Sequence, residues 1–134
     1  MTPVFLELAE LIRIHRDQME RYGGAMGVRD LDLLKSAIAM PAAGAGEVFS
    51  REDIFAMAAA YLFHIVRNHP FVDGNKRVGA VAAFIFLSLN GIELDAPETD
   101  FEALVMDVAS SRAGKLEVTL FLRRYGRAEQ PPPA

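Results

Sequence analysis

The stretch from His69 to Gly79, HPFVDGNKRVG, gathers an imidazole, a carboxylate, an amide and two cationic side chains between two apolar segments. Before it, residues 51–68 carry apolar side chains at helical spacing, and Ser50 with Asp53 predicts a capping box at the start of that helix. After it, residues 78–89 are apolar on every side, which indicates a helix buried on all its faces. The stretch is therefore predicted to be a polar loop that leads into the N-terminus of a buried central helix.

The rest of the chain predicts further helices. Residues 4–19 form one amphipathic stripe that ends at a glycine pair, and Asp30 is placed to cap a helix that Pro41 terminates. Asn90 and Gly91 end the central helix, and two shorter helices are expected around residues 101–109 and 116–125. Alternating apolar and polar runs are too short to require a sheet, although a short hairpin flap at residues 42–49 stays open.

These patterns predict an all-α fold, a compact bundle of about six helices around the buried central helix. One domain is expected over residues 1–126, followed by a disordered, proline-rich tail over residues 127–134. A chain of 134 residues is long enough for a single domain with its own core.

Composition excludes several classes of protein. The chain has no cysteine, so it has neither disulfides nor a thiolate nucleophile. Its longest apolar run, residues 78–89, is shorter than the ~20 residues of a membrane-spanning helix, and no signal-like segment opens the sequence. The net charge is −4 and the basic residues are scattered, which argues against direct nucleic-acid binding. We expect a cytoplasmic protein with no membrane or nucleic-acid partner.

The polar loop has the side chains that a nucleotide site needs. The N-terminus of a helix exposes unpaired N–H groups and partial positive charge, which attract anions. Gly74 permits close approach of the backbone, while Lys76 offers a point charge and Arg77 a planar fork of donors for phosphate oxygens. Asp73 would repel bare phosphates, so we interpret it as a ligand of Mg²⁺.

Two more residues of the loop complete this hypothesis. An imidazole exchanges protons near neutral pH, and His69 is therefore the candidate general base. Asn75 can donate and accept, so it is expected to orient the loop or contact a phosphate. Each residue alone also fits a turn, a cap or a solvated helical turn, and only the joint pattern favours a site. His15 and His64 lie on predicted helices and are interpreted as packing or surface residues.

The sequence HPFVDGNKR resembles the motif of the Fic/Doc superfamily, H-P-F-x-D/E-G-N-G/K-R. At position 76 it has the lysine of Doc (death-on-curing) toxins rather than the glycine of Fic adenylyltransferases. The segments RYGG at 21–24, GVRD at 27–30 and FLSLNG at 86–91 are also similar to Doc proteins. The resemblance covers nearly the whole chain up to residue 126, and it implies the Fic/Doc fold.

The resemblance implies the toxin of a bacterial toxin–antitoxin pair. Such a toxin would transfer the γ-phosphate of ATP to a Ser or Thr hydroxyl of a translation factor, in particular elongation factor Tu, and so block translation. The cofactors implied are ATP and Mg²⁺, with Asp73 as the metal ligand. The resemblance implies catalytic roles for His69, Asp73, Lys76 and Arg77, and phosphate binding by Gly74, Asn75, Lys76 and Arg77.

Two alternatives stay open. A Fic-like adenylyltransferase would transfer AMP, but the second arginine of the Fic motif is replaced by Ala80. A catalytically silent protein that only binds an antitoxin is disfavoured by the intact set of loop residues. Fic proteins that inhibit themselves carry S/T-x-x-x-E-G/N, and no glutamate of this chain lies in that pattern. A separate antitoxin is therefore expected to supply the inhibition.

Overall fold

The computed structural model describes residues 2–43 and 50–129. The described residues form six helices and two short strands, so the predicted all-α fold is confirmed. In chain order they are α1 (Leu8–Tyr22), α2 (Leu31–Ala39), α3 (Arg51–Asn68), α4 (Asn75–Leu89), β1 (Ile92–Leu94), α5 (Glu98–Ala109), α6 (Lys115–Tyr125) and β2 (Gly126–Ala128). None of the helices within these ranges combines the length and the hydropathy needed to cross a bilayer.

Helix α3 is the most buried helix of the core, and both of its predicted ends are confirmed. The Ser50 side chain accepts a hydrogen bond from the Asp53 N–H, while the Asp53 carboxylate accepts one from the Ser50 N–H. This reciprocal pair satisfies N–H groups that the first helical turn leaves free. The helix ends at Asn68, and its apolar side chains pack against α2, α4, α5 and α6.

Helix α4 is central, but it is not buried on all its faces as its sequence predicts. Val78, Ala82 and Phe86 are fully buried on the side that faces the core. In contrast, Phe84 exposes 45% of its surface and Leu89 exposes 46%. An unbroken apolar run conceals this asymmetry, because the exposed positions have the same composition as the core positions. Part of the apolar surface of α4 is therefore exposed to solvent.

A small antiparallel sheet, which the sequence pattern did not require, joins the segment after α4 to the segment after α6. Ile92 pairs with Ala128 and Leu94 with Gly126, and the Glu129 N–H donates to the Gly91 carbonyl at 2.9 Å. The expected tail begins at residue 127, whereas the structure has residues 127 and 128 in β2. Residues 130–134 lie outside the described part. The hairpin considered at 42–49 falls mainly on residues 44–49, which also lie outside it, and residues 42 and 43 form a turn after α2.

The segment between α1 and α2 positions the polar loop. The N–H groups of Arg29 and Asp30 both donate to the Pro70 carbonyl, at 2.7 and 3.0 Å. The Val72 N–H donates to the Gly27 carbonyl at 3.0 Å, and residues 28 and 71 form an isolated β-bridge. Asp30 also caps α2 as predicted, because its carboxylate accepts from the Leu33 N–H at 3.0 Å. The loop is thus held by backbone pairing to a distant part of the chain.

Candidate active site

The candidate site is a groove of about 940 Å³ beside the loop between α3 and α4. The polar loop forms one side of the groove, and α4 and α5 form a mainly apolar wall, where Phe84 and Met106 are about half exposed. Glu98 and Glu102 of α5 also line this wall. The six loop residues that the sequence singles out all line this groove: His69, Asp73, Gly74, Asn75, Lys76 and Arg77. Sequence reasoning missed the apolar wall because its residues belong to two helices whose apolar positions were all assigned to the core.

His69 lies where α3 ends. Its backbone is in the left-handed region, with φ 54° and ψ 49°, and its N–H still donates to the Ile65 carbonyl at 3.3 Å. A left-handed residue is a common helix terminator, but this conformation is costly for residues other than glycine. The next residue, Pro70, cannot continue the helix. The chain therefore turns away from the α3 axis at His69, and His69 lines the groove.

Asn75 fixes the orientation of the His69 ring. The Asn75 side chain is buried; its Oδ1 accepts from the Phe71 N–H at 2.9 Å, and its Nδ2 donates to the Phe71 carbonyl at 3.0 Å. Because both partners are backbone groups, the amide has only one consistent orientation. That orientation places Asn75 Nδ2 at 2.8 Å from His69 Nδ1. Nδ1 therefore accepts, and the neutral ring carries its proton on Nε2.

Asp73 provides an ionised carboxylate at the start of α4. Its Oδ2 accepts from the Ala25 N–H at 3.1 Å and its Oδ1 from the Gly74 N–H at 2.8 Å. The hydrogen bonds from Ala25 and then Gly74 lower the pKa of the Asp73 carboxyl below its usual value. Each oxygen keeps a lone pair for a further ligand.

The donor set at Asp73 fits Mg²⁺ in the way that nucleotide enzymes use it. Among the described residues there is no cluster of three or more His, Asp or Glu side chains that could enclose a metal. A Mg²⁺ ion bound here would therefore take one carboxylate from the protein and its other ligands from phosphates and water. This arrangement is common where the metal accompanies a nucleotide.

Gly74 and the start of α4 form the part of the loop whose backbone N–H groups have no side-chain cap. Gly74 has φ 77°, a conformation that is strained for any residue with a Cβ atom, and a Cβ atom there would meet the terminal methyl group of Met19. Glycine adopts this backbone conformation without strain. No side chain caps the N-terminus of α4, so the free N–H groups of its first turn are available to an anion.

Three cationic side chains line the same groove. Arg77 places its guanidinium over the Tyr22 ring, 5.2 Å from the centroid, and donates to the Gly23 carbonyl at 3.4 Å. Lys76 is exposed, and neither residue forms an ion pair with another described residue. Arg67, in the last turn of α3, donates to the Ser111 hydroxyl. The sequence pattern gave no reason to include Arg67, because it precedes the motif.

The other two histidines have the structural surroundings expected of packing or surface residues. His15 is buried, its ring stacks on Phe71 at 4.2 Å between centroids, and its Nε2 lies 3.0 Å from the Asp73 carbonyl. His64 is outside the groove and lies 3.1 Å from Lys115 Nζ. His15 of α1 thus packs against the loop, and His64 belongs to the contact between α3 and α6.

The fold and the groove define a helical protein in which a histidine, a carboxylate and three cationic side chains lie around the N-terminus of one helix. The chain belongs to the Fic/DOC family, whose sequence model matches residues 5–87. The resemblance inferred from HPFVDGNKR is therefore confirmed.

Two relatives agree with this assignment. Toxin Doc of Mycolicibacterium smegmatis is 44% identical over 75 residues, a match that covers 56% of this chain and 58% of that protein. Protein kinase doc of Escherichia phage P1 is 36% identical over 128 residues, which covers 90% of this chain and 94% of the phage protein. The chain thus spans little more than half of the first relative and nearly all of the second.

Proposed function

We propose that this protein is a Doc-type toxin that transfers the γ-phosphate of ATP to a Ser or Thr hydroxyl of a protein. The observation that carries the proposal is the loop, where His69, Asp73 and Lys76 line one groove at the N-terminus of α4. The match to Protein kinase doc over 90% of the chain supports phosphoryl transfer. The target that we propose is a translation factor, in particular elongation factor Tu, so that transfer stops translation.

The proposed reaction is an in-line displacement at the γ-phosphorus. The oxygen of the target hydroxyl forms a bond to phosphorus while the bond to the β-phosphate oxygen breaks, and ADP leaves. Lys76, Arg77 and the free N–H groups of α4 offset the negative charge on the phosphate oxygens. Asp73 would hold a Mg²⁺ ion, which would supply further positive charge against the negative charge of the phosphates.

His69 would accept the proton of the attacking hydroxyl. Its Nε2 carries a proton in the neutral ring, because Nδ1 accepts from Asn75. For Nε2 to act as the base, the ring must first change to the tautomer protonated on Nδ1, which breaks that hydrogen bond. Binding of substrate would therefore have to displace the Asn75 amide or turn the ring.

Labelled ATP tests the reaction type. We expect label on the γ-phosphate, and not on the α-phosphate, to reach protein, with ADP as the by-product. Transfer of α-label by the unmutated protein would replace the kinase assignment by adenylyl transfer. Lys76→Gly is expected to lower phosphoryl transfer without producing AMP transfer, because position 80 still has alanine in place of the second arginine of the Fic motif.

Three variants test the roles of the loop residues in the same assay. His69→Ala and Asp73→Ala should each abolish transfer while circular dichroism shows an unchanged helical content, since neither side chain belongs to the core. His64→Ala is the matched control, because this histidine lies outside the groove. Full activity of His69→Ala would exclude it as the base.

We also propose that a separate antitoxin inhibits the protein. The two relatives are named as Doc proteins, one of them as a toxin. The sequence has no glutamate in the self-inhibitory pattern of Fic proteins, which supports inhibition by a separate protein. An antitoxin segment that folds as it binds would then supply the inhibition in trans.

A further inference from the structure

The side chain of Arg29 contacts the backbone on both sides of His69. Its Nε donates to the His69 carbonyl at 2.7 Å, and its Nη2 donates to the Asn68 carbonyl at 3.1 Å. These carbonyls belong to the two peptide groups that flank the His69 Cα atom. The arginine comes from the segment between α1 and α2, far away in the sequence.

Holding both peptide groups fixes the backbone dihedrals of His69. The φ of a residue turns about its bond to the preceding peptide group and ψ about its bond to the following one, so a rigid fork bound to both restrains both angles. His69 is in the left-handed region, which a residue with a Cβ atom adopts only at a cost. The Arg29 guanidinium also lies at the C-terminus of α3, where cations are favoured and carbonyls lack helical partners.

Among the residues that the structure describes, the guanidinium has no competing acidic partner. Arg29 is exposed, and it forms no ion pair with another residue in the described ranges. The backbone N–H of Arg29 donates to the Pro70 carbonyl at 2.7 Å, so Arg29 also holds the peptide group that follows Pro70. The backbone of His69 is thus held by Arg29, while its ring is held by Asn75.

We infer that Arg29 is a positioning residue for the transfer reaction, which acts by keeping the His69 backbone in the conformation that directs its ring into the groove. The inference rests on the proposed function, because it assumes that His69 takes part in transfer. It adds to the site a residue that lies outside the loop and does not line the groove.

The test compares three purified full-length variants. Arg29→Met removes both donors at nearly constant length, and Arg29→Lys keeps the charge with fewer donors. Arg16→Met is the control, an exposed arginine of α1 without a side-chain hydrogen bond to another described residue. We expect Arg29→Met to lower kcat between about 10- and 100-fold with little change in the KM for ATP, because small misplacements of a catalytic group cost that much. Arg29→Lys should be intermediate, and Arg16→Met should match the unmutated protein.

A second readout does not depend on activity. In protein labelled at histidine with ¹³C and ¹⁵N, Arg29→Met should shift the signals of His69 and leave those of His64 in place. An unmutated protein that transfers no phosphate would contradict the proposed function, while the His69 signals would still decide whether Arg29 holds the residue. If Arg29→Met leaves kcat and the His69 signals unchanged, or lowers kcat and raises KM together with shifts throughout the protein, Arg29 is not a positioning residue.

Discussion

At the scale of single residues, the hydroxyl of Tyr61 joins the N-terminal segment to the core. It accepts from the Leu6 N–H at 2.9 Å and donates to the Leu6 carbonyl at 3.1 Å. Tyr61 is fully buried, and this burial raises its pKa to about 12. The two bonds also explain why α1 begins at Leu8 and not at Val4 as the stripe predicts, since the Leu6 backbone is bound outside a helix.

Tyr61→Phe is expected to lower the free energy of unfolding by about 1–3 kcal/mol, because both Leu6 groups lose a buried partner. The folded protein holds the Tyr61 proton more tightly than the unfolded chain, whose tyrosine pKa is near 10. The contribution of the protonated Tyr61 hydroxyl to stability is therefore fully present below about pH 10 and is lost as the pH rises toward about 12. Urea unfolding from pH 8 to 11.5 should show a shallower alkaline loss for the variant than for the unmutated protein. Parallel curves would contradict the raised pKa.

The chemistry of the site could be predicted from sequence only where it is contiguous. His69, Asp73, Lys76 and Arg77 are within one short stretch, and their types alone suggest phosphate and proton chemistry. The supports of the loop come from elsewhere in the chain. Met19, Ala25 and Arg29 reach it across a separation of about 40 residues or more, and such contacts depend on the packing of α1 rather than on any local pattern.

At the scale of helices and strands, the sequence predicted the features that depend on contacts between residues close together in the chain. Asp30 and the pair of Ser50 and Asp53 cap their helices as expected, because a cap bond joins residues close together in the chain. The pairing of β1 with β2 was missed, since two strands of three residues have too little pattern and their register depends on the position of α6. The exposure of apolar side chains on α4 was missed because periodicity cannot separate buried from exposed positions in a run that is apolar throughout.

His64 and Lys115 join α3 to α6 and make this contact sensitive to pH. Lys115 Nζ lies 3.1 Å from His64 Nε2 and 5.8 Å from the centre of the Phe63 ring. Burial lowers the pKa of His64 below its usual 6.5, and the charge of Lys115 lowers it further. Because the pKa of His64 is lowered in the folded protein, the contribution of the neutral ring to stability is fully present above about pH 6.5. It is lost as the pH falls through the folded pKa.

Lys115→Met should raise the pKa of His64 toward its usual value without reaching it, because burial is the larger cause and remains. The loss of stability between pH 7 and pH 5 should then become smaller. An NMR titration of the His64 ring, with urea unfolding at both pH values, measures the two effects. Lys35→Met, at an exposed position of α2, is the control. A His64 pKa that is the same in both variants would exclude the charge of Lys115 as a cause.

At the scale of the whole molecule, the contact between α3 and α4 sets the width of the site, because the loop connects these two helices. Gly79 is at this contact, where an added Cβ atom would lie 2.8 Å from the Val66 Cγ2 and 3.2 Å from the Leu62 carbonyl oxygen. The missing side chain thus lets the two helices approach closely. The same approach keeps the first turn of α4 near His69 at the end of α3.

Gly79→Ala tests this close approach. Alanine favours a helix interior by about 1 kcal/mol over glycine, whereas overpacking of a core costs about 1–3 kcal/mol. We expect the overpacking to prevail, so that the variant is less stable, and we expect its transfer rate to fall as α4 moves from His69.

Val66→Ala separates the two contacts of the new methyl group. It removes Cγ2 and leaves the Leu62 carbonyl, so Gly79→Ala should cost less in this background than in the unmutated protein. The four proteins form a double-mutant cycle, for which residues in contact give a coupling of about 0.5–3 kcal/mol. Urea unfolding of all four measures that coupling. A coupling near zero, together with no loss of stability in Gly79→Ala, would show that Gly79 does not set the distance between α3 and α4.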